Sequence, residues 1–380
     1  MRKRYRYPLT SIVFIALLFT TGAFMFNFTF KSTDPLREES TIKDKVQASD
    51  QFNGKQFVNI DATQMVTNFW AVLKMYLFDK QKPASPTTPI QVQSMTTDQL
   101  IALQKQSISK QDMYFSRLGH STILILMDGE FWLTDPVFSK RASPFSFAGP
   151  KRFHQPPLTI EQLPPIKGVL LSHNHYDHLD QWAIQQLINK VEHFYTPLGV
   201  GEDLITWGVK PENVTQLDWW ESVTVNNLSI TAAPAQHFSG RGLGDSNKTL
   251  WASWSVKSDQ ASFYFTGDSG YFGGFKEIGE RLGPFDVSFI ETGAYNKLWP
   301  DVHMMPEESA QAHLDVKATF MVPIHNGTFD LSVHTWTDPF EKIVELSKQK
   351  NINLVTPSMG EITSLQSLKE KPLVENYWWE

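Results

Sequence analysis

The sequence predicts an α/β fold in which β-sheets pack together and helices cover the outside. Short β-branched and aromatic runs recur between residues 114 and 266. Helical periodicity returns at 306–314 and 338–349, so two strand-rich halves are each followed by helix. Histidines and aspartates stand directly behind several of the strand runs. The 380 residues are 41 % hydrophobic and 19 % charged, which is ample for one large core or two smaller ones. A formal net charge of −6 lacks the basic footprint of a nucleic-acid binder. With no cysteine, disulfides, thiolate metal sites and thiol nucleophiles are excluded, and histidine, aspartate and glutamate remain as ligands.

In chain order, Arg2, Lys3, Arg4 and Arg6 precede residues 8–30, which carry no charge. At about 1.5 Å per residue that stretch can cross a hydrocarbon core about 30 Å thick. It reads as an uncleaved signal anchor over 1–31, with a cleaved signal peptide as the alternative. The positive flank predicts the amino terminus inside and the bulk of the chain on the extracytoplasmic side. Residues 32–60 are polar and of mixed charge, and they read as a stalk. Residues 62–80 predict a helix, because Met65, Val66, Phe69, Val72, Leu73, Tyr76 and Leu77 recur at helical spacing. That stripe suits a core-facing side, with lipid contact as the alternative. A second helix is expected over 96–106. Strands follow at 114–118, 122–127 and 131–134, the last two joined by an Asp128-Gly129 hairpin turn. A proline- and aromatic-rich loop spans 137–165. Further strands are expected at 166–171, 194–195, 214–217, 222–225, 228–233, 252–257, 262–266, 353–355 and 361–363, with a helix over 182–190.

The chemistry concentrates in residues 171–180, LSHNHYDHLD. His173, His175, Asp177 and His178 stand within six positions on the loop leaving the 166–171 strand. A His-x-His pair can aim two imidazoles at one metal, while the Asp-His pair can turn to a second. Imidazole with carboxylate suits zinc or a similar first-row divalent ion. Three more strand-end residues supply the ligands that one loop cannot. They are His237 after 228–233, Asp268 after 262–266, where Gly267 lets the chain turn, and His325 after FMVPI at 320–324.

With these residues in order, the chain resembles the metallo-β-lactamase superfamily of αβ/βα hydrolases. Longer phrases are similar to its N-acylphosphatidylethanolamine-hydrolysing phospholipase D group. They are GHST at 119–122, DPVF at 135–138, SP at 143–144 leading to GPKRF at 149–153, and SHNHYDHLD at 172–180. PAQH at 234–237, GDSGY at 267–271, GAY at 293–295, His303 with PEE at 306–308, and HNGTF at 325–329 continue the match. The resemblance covers residues 52–365. It implies a four-layer αβ/βα sandwich behind the transmembrane segment, with a hydrolase domain over 61–365 and a tail over 366–380.

The resemblance also implies two Zn2+ per chain, one held by His173, His175 and His237 and the other by Asp177, His178 and His325, with Asp268 bridging. A metal-bridging hydroxide would then attack phosphorus, with Asp177 and His303 as the catalytic pair. His303 would protonate the leaving group, bind phosphate or serve structure alone. Asp135 and His120 are candidates to orient ligands, or merely to make turns, and Tyr176 to line the entrance. Arg141, Lys151 and Arg152 are candidates for an anionic headgroup, or ordinary loop charges. Trp219, Trp220 and the 145–153 loop could touch lipid or be core. The implied function is a membrane-anchored, zinc-dependent phosphodiesterase acting on a phospholipid such as N-acylphosphatidylethanolamine. The alternatives are a zinc lactonase or carboxylic ester hydrolase, and an inactive fold serving as an envelope binding module. Two features depart from the group's pattern and bear on substrate access: the 8–30 span, and the 296–301 stretch NKLWPD before His303.

Overall fold

The computed structural model describes residues 32–63, 69–371 and 377–380. Two seven-stranded sheets face each other. The first is built from β1 (Tyr114–Gly119), β2 (Thr122–Met127), β3 (Glu130–Thr134), β4 (Ile166–Leu170), β5 (Val191–Pro197), β6 (Val214–Leu217) and β14 (Thr363–Ser364), in the order β14-β1-β2-β3-β4-β5-β6. The second holds β7 (Ser222–Val225), β8 (Leu228–Ala233), β9 (Ser253–Lys257), β10 (Ser262–Phe265), β11 (Phe285–Glu291), β12 (Ala318–Ile324) and β13 (Asn353–Leu354), in the order β13-β12-β11-β10-β9-β8-β7. Both sheets are mixed. Strands β1–β3 and β7–β10 pair antiparallel, through hairpins except for the long 234–252 loop between β8 and β9, whereas β3–β6 and β10–β13 pair parallel across helical or long connections. Positive φ at Asp128 and Gly129 makes the tight turn between β2 and β3 that the Asp-Gly pair predicts.

The nine helices among the described residues are α1 (Lys43–Ala48), α2 (Phe69–Phe78), α3 (Thr97–Lys110), α4 (Gln181–Leu187), α5 (Val200–Thr206), α6 (Gly274–Arg281), α7 (Pro306–Asp315), α8 (Asp338–Lys350) and α9 (Leu365–Glu370). Three apolar clusters define the layers. Between the sheets, Phe115, Ile125 and Trp132 pack with Ile230, Trp254, Phe263 and Phe289. Leu100 of α3, Ile184 of α4 and Leu204 of α5 cover the outer face of the first sheet. Phe275 and Ile278 of α6, Ala310 of α7 and Ile343 of α8 cover the second. This is a helix–sheet–sheet–helix sandwich, the layering implied by the resemblance. Pro323 is tolerated in β12 because its neighbour β13 pairs only as far as Met321, so the missing N–H breaks no ladder on that side.

Several expectations change. The 8–30 span lies outside the described residues, and among those described no helix is long and apolar enough to cross a membrane. Residues 32–60 are laid on the domain instead of standing off as a stalk. Ser32 N and Oγ bind Asp245 Oδ2 at 2.7 and 2.9 Å, and Val46 and Phe57 are buried in the core between the sheets. Of the 366–380 tail, residues 366–371 and 377–380 are described; there Leu368 is buried and Trp379 stacks on Phe340 at 4.7 Å. Of the 62–80 helix, residues 64–68 fall outside the described residues; in α2 Met75 is buried while Trp70, Leu77 and Phe78 are 65–76 % exposed. The chain around α2 is tied to the rest at its flanks, by Asn59 to the His237 carbonyl and by Gln81 N–H to the Val333 carbonyl.

Candidate metal centre

Every candidate ligand sits where a strand ends on the same edge of the sandwich. β4 delivers the 171–180 loop, and its exit is pinned from the other sheet by Trp254, whose Nε1–H donates to the Leu171 carbonyl at 2.9 Å. β8 delivers His237, β10 delivers Asp268, and β12 delivers His325. The β4 and β10 loops approach so closely that a Cβ on Gly267 would lie 2.4 Å from the Ser172 Cβ, and Gly267 has φ +60°. Only glycine meets both demands.

The structure brings all seven predicted ligands together. His173 Nε2 and His237 Nε2 lie 2.9 and 3.2 Å from His175 Nδ1. Tetrahedral zinc with nitrogen ligands at 2.0–2.1 Å separates its ligand atoms by about 3.3 Å, so this triad has the right span. Asp177, His178 and His325 form a second group that His120 joins, its Nε2 standing 3.0 Å from Asp177 Oδ2. Asp268 Oδ2 stands between the groups, 3.0 Å from His178 Nε2 and His325 Nε2 and 3.8 Å from His173 Nε2 and His237 Nε2. His178 Nε2 and Asp268 Oδ1 are buried without a hydrogen-bond partner. Buried polar atoms in that state cost free energy unless an ion or water satisfies them, so the donor set fits a pair of cations.

The far sides of the rings are held by hydrogen bonds. Asp135, fully buried, accepts from Ser172 N–H at 2.7 Å and Ser172 Oγ–H at 2.5 Å, and pairs with His178 Nδ1 at 2.7 Å. Ser172 Oγ also contacts His173 Nδ1 at 2.9 Å, and the Val302 carbonyl holds His237 Nδ1 at 2.9 Å. Each of these contacts leaves Nε2 for the centre. His325 adopts φ +63°, unusual for a side-chain-bearing residue. Its neighbour Asn326 fixes that turn, donating to the Ile324 and Thr292 carbonyls and accepting from the buried Arg117 at 2.6 Å.

Burial, reinforced by neighbouring imidazoles, holds His173 well below the usual imidazole range, and burial does the same to His237 and brings His175 down to about 4. These rings are neutral, as a metal ligand must be. Around the other group burial is outweighed. Asp268 and Asp177 raise His178 well above its ordinary value and His325 to about 10, while their own carboxyls are pushed far down by the facing imidazoles. Without a cation, protons balance the two carboxylates.

A cavity of about 340 Å³ opens over the centre, lined by His175, Asp177, Asp268, His303 and His325 on its polar side. Phe238, Leu298, Trp299, Val302 and Leu331 make its apolar wall, so the 296–301 stretch contributes Leu298 and Trp299 to the cavity. His303 Nδ1 pairs with Glu291 Oε1 at 2.6 Å. Glu291 is fully buried and escapes the sequence analysis, although a ligand-type side chain at the end of a strand is the same signal that marks Asp268 and His325; the polar Asp286 and Ser288 obscure that strand.

Other candidates point elsewhere. Tyr176 does not line the cavity; its hydroxyl donates to the Arg241 carbonyl and its ring carries the Arg241 guanidinium 4.1 Å away. Arg141 binds the Ser146 and Gly149 carbonyls of its own loop, and buried Arg152 donates to the Val137 carbonyl and lies over Phe329. Lys151 is exposed and bridges Arg141 through its backbone. Trp219 is core and binds the Trp251 carbonyl; Trp220 is half-buried beneath Arg281; Phe147 is exposed beside Phe145.

The comparisons with known proteins agree with this geometry. A family described as "Beta-lactamase superfamily domain" matches residues 132–326. An uncharacterised protein of Mycobacterium tuberculosis is 36 % identical over 349 residues, covering 90 % of each chain. N-acyl-phosphatidylethanolamine-hydrolyzing phospholipase D 1 of Caenorhabditis elegans is 34 % identical over 352 residues, covering 87 % of this chain and 97 % of the relative. Among solved structures, a metallo hydrolase of Ignicoccus hospitalis superposes with a TM-score of 0.52 at 19 % identity, covering 67 % of this chain and 98 % of that one, a likeness of fold. The chain therefore belongs to the beta-lactamase superfamily, as a metal-dependent hydrolase of that fold with N-acyl-phosphatidylethanolamine-hydrolysing phospholipase D among its homologues.

Proposed function

We propose that the protein is a dinuclear zinc phosphodiesterase that hydrolyses a phospholipid of the N-acylphosphatidylethanolamine kind. The observation that carries this reading is Asp268 Oδ2, placed 3.0–3.8 Å from four imidazole nitrogens of two ligand groups, the position of a bridging ligand. His173, His175 and His237 would hold one ion; Asp177, His178 and His325 would hold the other, with His120 steadying Asp177. Zinc, when bound, supplies water activation and neutralises charge growing on the phosphoryl oxygens.

The chain's own residues do the rest. The apolar wall of Phe238, Leu298, Trp299 and Leu331 excludes water and suits an acyl or alkyl portion of the substrate beside the reacting phosphate. His303, on the polar side of the same cavity, presents Nε2 to the oxygen that leaves, and returns a proton to it there. The relative of C. elegans, matched along 97 % of its length, supports the phospholipid assignment. The uncharged 8–30 stretch supports an amino-terminal membrane anchor with the hydrolase on the extracytoplasmic side.

The test is metal content with turnover on the purified full-length chain in detergent. Substrates would be bis(p-nitrophenyl) phosphate, N-acylphosphatidylethanolamine vesicles and a lactone panel, with Asp268→Ala as control. The reading expects near two zinc ions per chain and phosphodiester cleavage that the variant loses. Cleavage of lactones alone would replace it with an ester hydrolase, and a metal-free inert chain would end both enzyme readings.

A further inference from the structure

The mechanism uses His303 but does not explain what aims it. His303 sits on the connection between β11 and α7, lining the cavity, with its ring 5.1 Å from His237 and 5.3 Å from His325. Its Nδ1 points away from the cavity and meets Glu291 Oε1 at 2.6 Å. Glu291 is the last residue of β11, paired with Ile324, the residue just before His325. Its main chain is fixed on both sides: its N–H donates to Thr266 Oγ1 at 2.9 Å and its carbonyl accepts from Ser309 Oγ at 2.7 Å. Its second carboxylate oxygen accepts the Ser269 N–H at 3.0 Å. The carboxylate thus meets the Ser269 N–H on one oxygen and the His303 ring on the other, and has no lysine or arginine partner among the described residues.

We propose that Glu291 is a positioning residue for His303, locking the proton on Nδ1 and turning Nε2 to the leaving oxygen of the substrate. The proposal rests on the phosphodiesterase reading only for the last step. There the attacking water forms the new P–O bond and the P–O bond to the leaving group breaks. The leaving oxygen keeps the electron pair and takes the Nε2 proton of the doubly protonated ring, which is left neutral with its proton on Nδ1. The water's own proton goes to solvent, from which His303 is recharged through the open cavity.

An ionised carboxylate accepts at both oxygens, so it demands an N–H from Nδ1. An amide cannot satisfy both neighbours. The Ser269 N–H is a fixed donor, so a glutamine at 291 turns its oxygen there and its NH2 toward His303. Nδ1 must then accept, and the single proton of the neutral ring moves to Nε2. Such a ring can release that proton only as an imidazolate, which makes it useless as an acid.

The experiment uses the full-length chain labelled with 15N at histidine, in wild type and Glu291→Gln, with the His303 resonances identified by their loss in His303→Gln. The expected spectra show neutral His303 protonated at Nδ1 in the wild type and at Nε2 in Glu291→Gln. Turnover then separates leaving groups. With N-acylphosphatidylethanolamine vesicles, whose leaving oxygen needs a proton, Glu291→Gln should lose on the order of 10²–10⁴-fold in kcat. With bis(p-nitrophenyl) phosphate, whose leaving group departs unprotonated, the loss should stay below about tenfold. A wild-type His303 protonated at Nε2 overturns the proposal, and that measurement needs no variant to fold. Equal losses on both substrates also overturn it. If the wild type turns over neither substrate the phosphodiesterase reading fails, while the tautomer alone still decides the role of Glu291.

Discussion

Asp135→Asn should weaken binding of the second metal while leaving the fold intact. In the native chain Asp135 Oδ1 accepts the Ser172 N–H, and Oδ2 accepts Ser172 Oγ–H and pairs with His178 Nδ1. An asparagine fills the same volume. Its oxygen stays on the Ser172 N–H, so its NH2 faces His178 Nδ1 and drives that ring's proton to Nε2, the atom that faces Asp177 and Asp268. Loss of such an orienting partner costs about 10–100-fold in metal affinity, or about 1.4–2.7 kcal/mol. Folding should change by no more than about 1 kcal/mol, because one charge-assisted bond is lost while a fully buried carboxylate, whose pKa burial raises, is made neutral. Titration of the apo-protein with zinc against a chromophoric chelator would resolve the two affinities, and urea unfolding would give the stability. Two ions bound at wild-type affinity would refute the assignment of His178 and its support by Asp135.

Three further outcomes are expected. Gly267→Ala forces a side chain into φ +60° and to 2.4 Å from Ser172 Cβ, and should destabilise by about 2–4 kcal/mol in urea unfolding; a change under about 1 kcal/mol would contradict the packing of the two loops. Zinc affinity of the His178/His325 group should fall as pH is lowered, because Asp268 and Asp177 outweigh burial and hold both rings protonated, His325 up to about pH 10, and the ion must displace those protons. Calorimetry in buffers of different ionisation enthalpy would show proton release at pH 7, and zinc uptake without it would count against the assignment. His313, whose Nδ1 meets Ser288 Oγ, is brought down by burial to about 4, so between pH 6.5 and 4 the unfolded chain binds more protons and stability falls with falling pH. From pH 7 to 5 this amounts to about 2 kcal/mol, which His313→Gln should remove from the slope in parallel urea titrations; an unchanged slope would mean that His313 is already protonated in the folded chain.

The metal ligands were legible because they share one rule: a strand of apolar residues ends, and a side chain that can bind a cation follows within a short loop. That rule is local, so His173, His237, Asp268 and His325 can be read from a line of text. What holds them is not local. Asp135 was a candidate to orient a ligand from its place at a strand end, and the structure gives it His178, 43 positions away; Arg117 serves Asn326 across 209, and no periodicity links that pair. The sandwich was legible in its long strands, whereas β11, α5 and α6 are hidden: two are helices of eight residues or fewer, and β11 mixes Asp286 and Ser288 into its apolar run. Residues 32–60 look like a stalk because they lack any repeating pattern. Single anchors hold them down instead, Val46 and Phe57 in the core and Ser32 on Asp245.

Those single anchors also constrain how the molecule comes to exist. Ser32 binds Asn174, inside the metal motif, and Asp245, which lie 142 and 213 residues downstream, and Asn59 closes on His237 at a distance of 178. On a ribosome residues 32–60 must wait for these distant partners while most of the chain is made. Their docking is a late, long-loop closure and therefore slow. Residues 32–60 and the metal loop thus share their anchors, and the loop that carries Asn174 and the strand end that carries His237 gain their last hydrogen bonds only when that segment docks.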